Sequence, residues 1–192
     1  ELKPGVTLRS AGTDEKGKLG LLRAEQTILD GGQEGATSPG VTMSEGAVLD
    51  GFTITNVGRY DEATWKKHFD SHGEELSDDE GAVHAEGTVP AVRIAAVGCV
   101  VRHCIVHHNG DVGIAVLGKE QHESTAVVSH NISYRNLGGG IGIAEGASPV
   151  VTRNTCFENL RAGIGCRAAQ PLILNNVCYQ NVRAGIGCRE GS

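Results

Sequence analysis

Val150-Val-Thr-Arg-Asn-Thr-Cys-Phe-Glu-Asn-Leu-Arg-Ala-Gly-Ile-Gly165 returns as Leu172-Ile-Leu-Asn-Asn-Val-Cys-Tyr-Gln-Asn-Val-Arg-Ala-Gly-Ile-Gly187. Two looser copies precede them, Val100–Ala115 and Val127–Gly142. The Gly-Ile pairs start at Gly113, Gly140, Gly163 and Gly185, giving steps of 27, 23 and 22 residues. A unit this short cannot bury a core alone. Stacked on its neighbours it forms one turn of a solenoid.

Aligning the copies turns sequence into columns. Asn109, Asn136, Asn159 and Asn181 share one position, and Asn56 is expected in the same slot. Cys104, Asn131, Asn154 and Asn176 share another. An Asn repeated at a turn can take a left-handed backbone conformation, and its amide can bond the Asn of the next coil. Between the two columns, Val106, Ser133, Cys156 and Cys178 alternate with His107, Tyr134, Phe157 and Tyr179. Only one set can point inward. A narrow interior selects the small set and places His107 and the rings outside. Ile114, Ile141, Ile164 and Ile186 form a further inward column, with Val116, Ile143, Cys166 and Cys188 beside it. Ala115, Gly142, Gly165 and Gly187 lie between them and face out as a bare strip. The apolar pair that opens each unit supplies a third strand. Three short strands and three turns per coil define an all-β, right-handed parallel β-helix. The Leu lattice of a leucine-rich repeat is missing.

Composition agrees. Of 192 residues, 28 are Gly and only seven are aromatic, which suits a thin coil of small aliphatic side chains. The net charge of −6 gives no reason to expect nucleic acid. No apolar run approaches the roughly 20 residues of a membrane span. The charge is uneven: residues 61–90 hold nine carboxylates against two lysines, and residues 91–192 hold nine Lys/Arg against six carboxylates. The six cysteines recur by column and lack CxxC spacing, so they read as buried small apolar groups rather than as a disulfide or zinc framework.

The pattern N-x-x-x-x-N-x-x-x-G-I, at Asn154–Ile164 and Asn176–Ile186, resembles the repeat of the pectate-lyase-like parallel β-helix superfamily. Pro4–Gly12, Gln26–Gly32 and Glu45–Asn56 are similar to the first coils of many exported members. The resemblance covers nearly all the chain except residues 57–90. It implies a fold, and an exported, extracellular or periplasmic, location. It transfers no catalytic residue, because the aspartate and arginine signatures of calcium-dependent pectate lyases and of polygalacturonases are both missing. The expected organisation is one domain over 1–192, read as a piece of a longer protein or as a solenoid whose ends other protein subunits cover.

One interruption breaks the rhythm. Asn56 and Asn109 are 53 residues apart, read as two coils with one Asn missing. The acidic insert at 58–88 fills that interval. It leaves from the turn that, in the resembled fold, commonly walls a substrate groove, and long loops on rigid scaffolds carry function. Within it, Asp61 caps a short helix over Ala63–Ser71, Gly73 ends it, and Trp65 and Phe69 form the docking face. His68 and His72 are four apart, as helical metal ligands are. With His84 they make the candidate set for a divalent metal. The competing reading is a solvated acidic loop.

Two further clusters complete the candidates. His103 and His130 share a column, and His107, His108 and Asp111 lie nearby. Arg161 stacks with Arg183, and Arg167 with Arg189, on either side of the Gly-Ile strand, with Arg93 outward on an earlier coil. Stacked arginines repel unless an anion sits among them, and guanidinium binds carboxylate bidentately. The expected partner is an anionic polysaccharide held by Arg161, Arg167, Arg183 and Arg189. If the chain is a lyase, hydrolase or epimerase, Arg93 is assigned charge stabilisation, and His108, Asp111 or His84 proton transfer. The alternative is a non-catalytic structural or interaction segment.

Overall fold

The computed structural model describes residues 1–32, 38–74, 89–118 and 125–192. Three six-stranded sheets, every pairing parallel, wrap one long core. The first sheet contains Thr7–Arg9, Val48–Asp50, Cys99–Arg102, Ala126–Ser129, Val150–Thr152 and Leu172–Leu174. The second contains Ile28–Asp30, Thr53–Thr55, Ile105–His107, Ile132–Tyr134, Thr155–Phe157 and Val177–Tyr179. The third contains Val41–Met43, Val92–Ile94, Ile114–Leu117, Ile141–Ala144, Ala162–Arg167 and Ala184–Arg189. Each coil gives one strand to each sheet, and each strand pairs with the strand one coil away. This is the right-handed parallel β-helix that the columns predict.

The inward columns form one core. Val101, Val128 and Val151 come from the first sheet, Val106 and Cys156 from the second, and Ile114, Ile141 and Ile164 from the third. The rings stand outside as expected. His107, Tyr134, Phe157 and Tyr179 stack with centroids 4.9, 4.8 and 5.0 Å apart, set by the strand spacing. Cys99, Cys104, Cys156 and Cys166 are buried, Cys178 is half-buried and Cys188 is exposed, and all six are free thiols.

Two Asn ladders run through the corners. Asn109 donates to Asn136 (2.9 Å), Asn136 to Asn159 (3.0 Å) and Asn159 to Asn181 (2.9 Å). Asn131 donates to Asn154 and Asn154 to Asn176, each at 3.0 Å. The amides also serve the main chain: Asn136 donates to the Val106 carbonyl and accepts from the Asn109 N–H. A carboxamide suits a dry corner because it offers donor and acceptor together.

The left-handed residues are not the ladder asparagines. They are the residues just before them: His108, Arg135, Glu158 and Gln180 at one corner, and His103, His130, Arg153 and Asn175 at the other. Asn56 belongs to this column, with φ 57°. Val57 therefore takes the ladder slot, and its N–H donates to the Asn109 side chain at 3.0 Å. Thr53–Thr55 pairs directly with Ile105–His107. The long interval is thus one coil carrying an insert, and no coil lacks its strands.

That insert leaves between the second and third sheets of the second coil. A separate excursion, residues 10–27, leaves between the first and second sheets of the first coil and contains helix α1 (Leu22–Gln26).

Candidate functional site

Helix α2 (Glu62–Asp70) forms where its sequence signals place it. The Asp61 carboxylate accepts from the Thr64 N–H at 2.6 Å, closing the first turn. The Trp65 and Phe69 rings stack at 4.6 Å. Trp65 is buried against Leu137 and Leu160, with Tyr60, Phe69 and Val182 around them. Leu137, Leu160 and Val182 each follow a ladder Asn, so the corner that points Asn inward turns the next residue outward to receive the helix. The Trp65 indole N–H donates to the Glu158 carbonyl at 2.9 Å, and the Arg135 guanidinium covers its ring at 4.3 Å. Arg135 also pairs with Glu158 at 2.8 Å and reaches Glu62 at 3.6 Å. The helix thus docks on the corner beside the second and third sheets.

Of the expected metal set, His68 and His72 lie among the described residues. His68 lies within α2, which ends at Asp70, and His72 follows the helix with φ 51°. His84 lies outside the described residues. Among the described residues, no group of three or more His, Cys, Asp or Glu side chains could hold a metal ion.

His107 and His108 form the more organised histidine site. Their Nδ1 atoms lie 2.7 Å apart. His107 stacks on Tyr134, and His108 meets the edge of Tyr60 at 4.9 Å. Burial, with His108 as a lesser cause, pulls the His107 pKa down to about 4. Burial also lowers that of His108, helped by the charge of Arg135. Both rings are neutral at pH 7. Burial, then the hydrogen bond to Glu62, holds the Tyr60 hydroxyl above its ordinary value. Asp111 is buried in the turn beyond Asn109.

Arg93 lies in the third sheet, in register with Thr42 on one side and Ala115 on the other. Its column continues through Gly142, Gly165 and Gly187. Arg167 and Arg189 pair in register at the ends of their strands, and Arg161 and Arg183 precede theirs. Arg167 is held by Glu190 at 3.0 Å. The arginine columns therefore flank the bare strip as expected, whereas His108 stands at the corner with Tyr60.

The glycines of this strand divide into two kinds. A Cβ on Gly140 would meet the Gly163 carbonyl oxygen at 2.7 Å, and one on Gly163 would meet the Gly185 carbonyl oxygen at 2.8 Å. Close stacking of coils requires glycine there. A Cβ on Gly165 or Gly187 would meet nothing nearer than an alanine methyl at 3.7 Å. Packing does not require those two outward glycines.

The columns do not reveal one polar centre. Asp50, buried at 2% side-chain exposure, ends a strand between Arg9 and Arg102 of the adjoining coils. Arg102 reaches it at 3.0 Å, Arg9 at 3.6 Å, Arg23 at 2.7 Å and the His103 ring at 3.2 Å. Arg23 also holds Asp14 and donates to the Ser10 side chain at 3.0 Å. A Cβ at Gly51 would come within 2.2 Å of the Arg23 guanidinium, so glycine there vacates the corner slot that Arg23 fills. Burial would raise the Asp50 carboxyl, but hydrogen bonds from Arg23, His103 and Arg102 outweigh it and hold the pKa below the ordinary value. The separation of Arg23 and Asp50 by 27 residues with unrelated neighbours hides the pair from column reading; Gly51 following Asp50 is the only local sign.

No helix among the described residues is long and apolar enough to cross a membrane. No curated protein and no solved structure matches the chain significantly. The family described as a right handed beta helix region matches residues 66–192, most of the chain and every coil from the third onward. Matched by sequence and built as three parallel sheets around stacked coils, the chain belongs to that right-handed β-helix family.

Proposed function

We propose that this β-helix binds an acidic polysaccharide along the outward face of its third sheet. The observation that carries the reading is the pair Gly165 and Gly187, side-chain-free positions that packing does not demand. They leave a flat track on which an extended polymer can lie against main chain. Arg93 stands in the same column, and Arg161, Arg167, Arg183 and Arg189 lie on either side of it. Guanidinium groups spaced by one coil match a ligand with repeated carboxylates or sulfates. The reading is one of binding by an exported protein. Arg93 belongs to the third sheet and His108 to the corner that follows the second.

The test is titration of the chain with uronate and sulfated polymers, alongside neutral ones. Binding should favour the acidic polymers and weaken with salt. Gly165→Leu should abolish it while leaving thermal unfolding unchanged, because its side chain would stand in the track. Equal binding to neutral polymers, no binding to acidic ones, or full binding by Gly165→Leu would each overturn the reading. A structural role is the second reading, favoured by the Arg167–Glu190 and Arg135–Glu158 pairs, which balance charge from coil to coil without a ligand.

A further inference from the structure

The excursion at residues 10–27 closes over the corner of the coils below it and leaves a cavity of about 280 Å³. Asp14, Glu15, Gly20, Leu21, Leu22, Arg23, Ala24 and His103 line it. It lies where the first sheet turns into the second, away from the glycine track of the third. Of the ion network around Asp50, Asp14, Arg23 and His103 reach its lining. Such a network is a costly way to stabilise a corner, since taking several charges out of water offsets most of what their attraction returns. Charged groups gathered at a concave surface are more usual at sites that bind.

We propose that this cavity binds a single uncharged sugar ring. Charge narrows the ligand class first. Arg9 pairs with Asp14 at 3.0 Å and reaches Asp50, Arg23 pairs with both aspartates, and Arg102 pairs with Asp50. With Glu15 of the lining, three carboxylates stand by the three guanidiniums, so the charges balance and do not call for an anionic ligand. The lining instead offers carboxylate acceptors at Asp14 and Glu15, an imidazole able to donate or accept at His103, and an apolar wall from Leu21, Leu22 and Ala24. A sugar ring is complementary to that mixture, with hydroxyls that donate and accept around its edge and C–H groups on its face. The volume suits one ring and not a chain.

Asp50 and Arg23 prepare the site. The Asp50 carboxylate bonds the His103 Nδ1 at 3.2 Å and so fixes the ring orientation. Arg23, almost wholly buried, ties Asp14 of the excursion to Asp50 of the coil and sets the position of the cavity mouth. His103 and Asp14 are the residues assigned to contact the ligand.

The site stands apart from the polymer track, so each can fail without the other. The experiment is a calorimetric and NMR titration of the intact chain with a panel of neutral monosaccharides, with glucuronate as the charged control. At least one neutral sugar should bind saturably at millimolar concentration, more tightly than glucuronate. Asp14→Asn and His103→Ala should each weaken it about tenfold or more. Asn keeps a side-chain oxygen for Arg23, and Arg23 keeps Asp50, so Asp14→Asn should lower the unfolding temperature only slightly and keep the test valid if His103→Ala proves unstable. Gly165→Leu should bind the monosaccharide as the parent chain does. No saturable binding by any neutral sugar, tighter binding of glucuronate, or undiminished binding by Asp14→Asn would overturn the proposal.

Discussion

The Nδ1 atoms of His107 and His108 share one hydrogen bond at 2.7 Å, so one ring donates to the other and the two cannot both be protonated there. Both pKa values lie below that of free histidine, that of His107 at about 4. The folded state therefore takes up fewer protons than the unfolded chain as pH falls from about 6.5. Stability should be fully present above pH 6.5 and should decline between there and pH 4, by about 1–2 kcal/mol after allowing for partial exposure. Denaturant melts across that range should show the slope, and His107→Phe, which keeps the ring stack, should flatten it. A His107→Phe chain with the parent's slope would show that the loss arises elsewhere.

Asn136→Ala should be among the most damaging single changes. It removes the acceptor for the Asn109 N–H and side chain, and the donors to Asn159 and the Val106 carbonyl, inside a corner from which water is excluded. Leaving those groups unpaired should cost roughly 2–4 kcal/mol. Equilibrium unfolding in urea measures this. Asn56→Ala, outside the ladder, should cost much less.

Gly140→Ala and Gly165→Ala should separate cleanly. The first drives a methyl to within 2.7 Å of the carbonyl of the next coil and should lower stability by about 1–3 kcal/mol. The second meets only an alanine methyl at 3.7 Å and should be within about 0.5 kcal/mol of the parent. Thermal melts of the pair decide it; equal losses would mean that the outward glycines are required for packing after all.

Trp65→Ala should release α2 without unfolding the coils. Its ring supplies the buried centre of the helix contact and its N–H the bond to Glu158. Truncation should cost about 3–5 kcal/mol of docking. Hydrogen exchange should then rise sharply across 62–70, while the amides of the third to fifth coils stay protected.

The columns made the architecture legible because parallel coils repeat their environment. Ile141 and Ile164 face the same interior, and the sequence writes that twice. The Asp61 cap and the Trp65–Phe69 spacing revealed α2 by local chemistry in the same way. Asn56 misled because a left-handed position and a ladder position both favour Asn, and only the pairing of Thr53 with Ile105 distinguishes them. The Asp50 centre was hidden for a deeper reason: Arg9 and Arg23 from the first coil and Arg102 and His103 from the third converge on it in the second, and none of those meetings repeats.

The contact between Trp65 and Glu158 joins residues 93 apart in sequence and three coils apart in space. A simple stack of coils behaves like a zipper, each tooth held only by the next, and can fray from its end. An arm that leaves the second coil and grips the fourth, fifth and sixth works as a splint. Opening the last coils must first break a bond to the second, so this short solenoid should come apart as one cooperative unit.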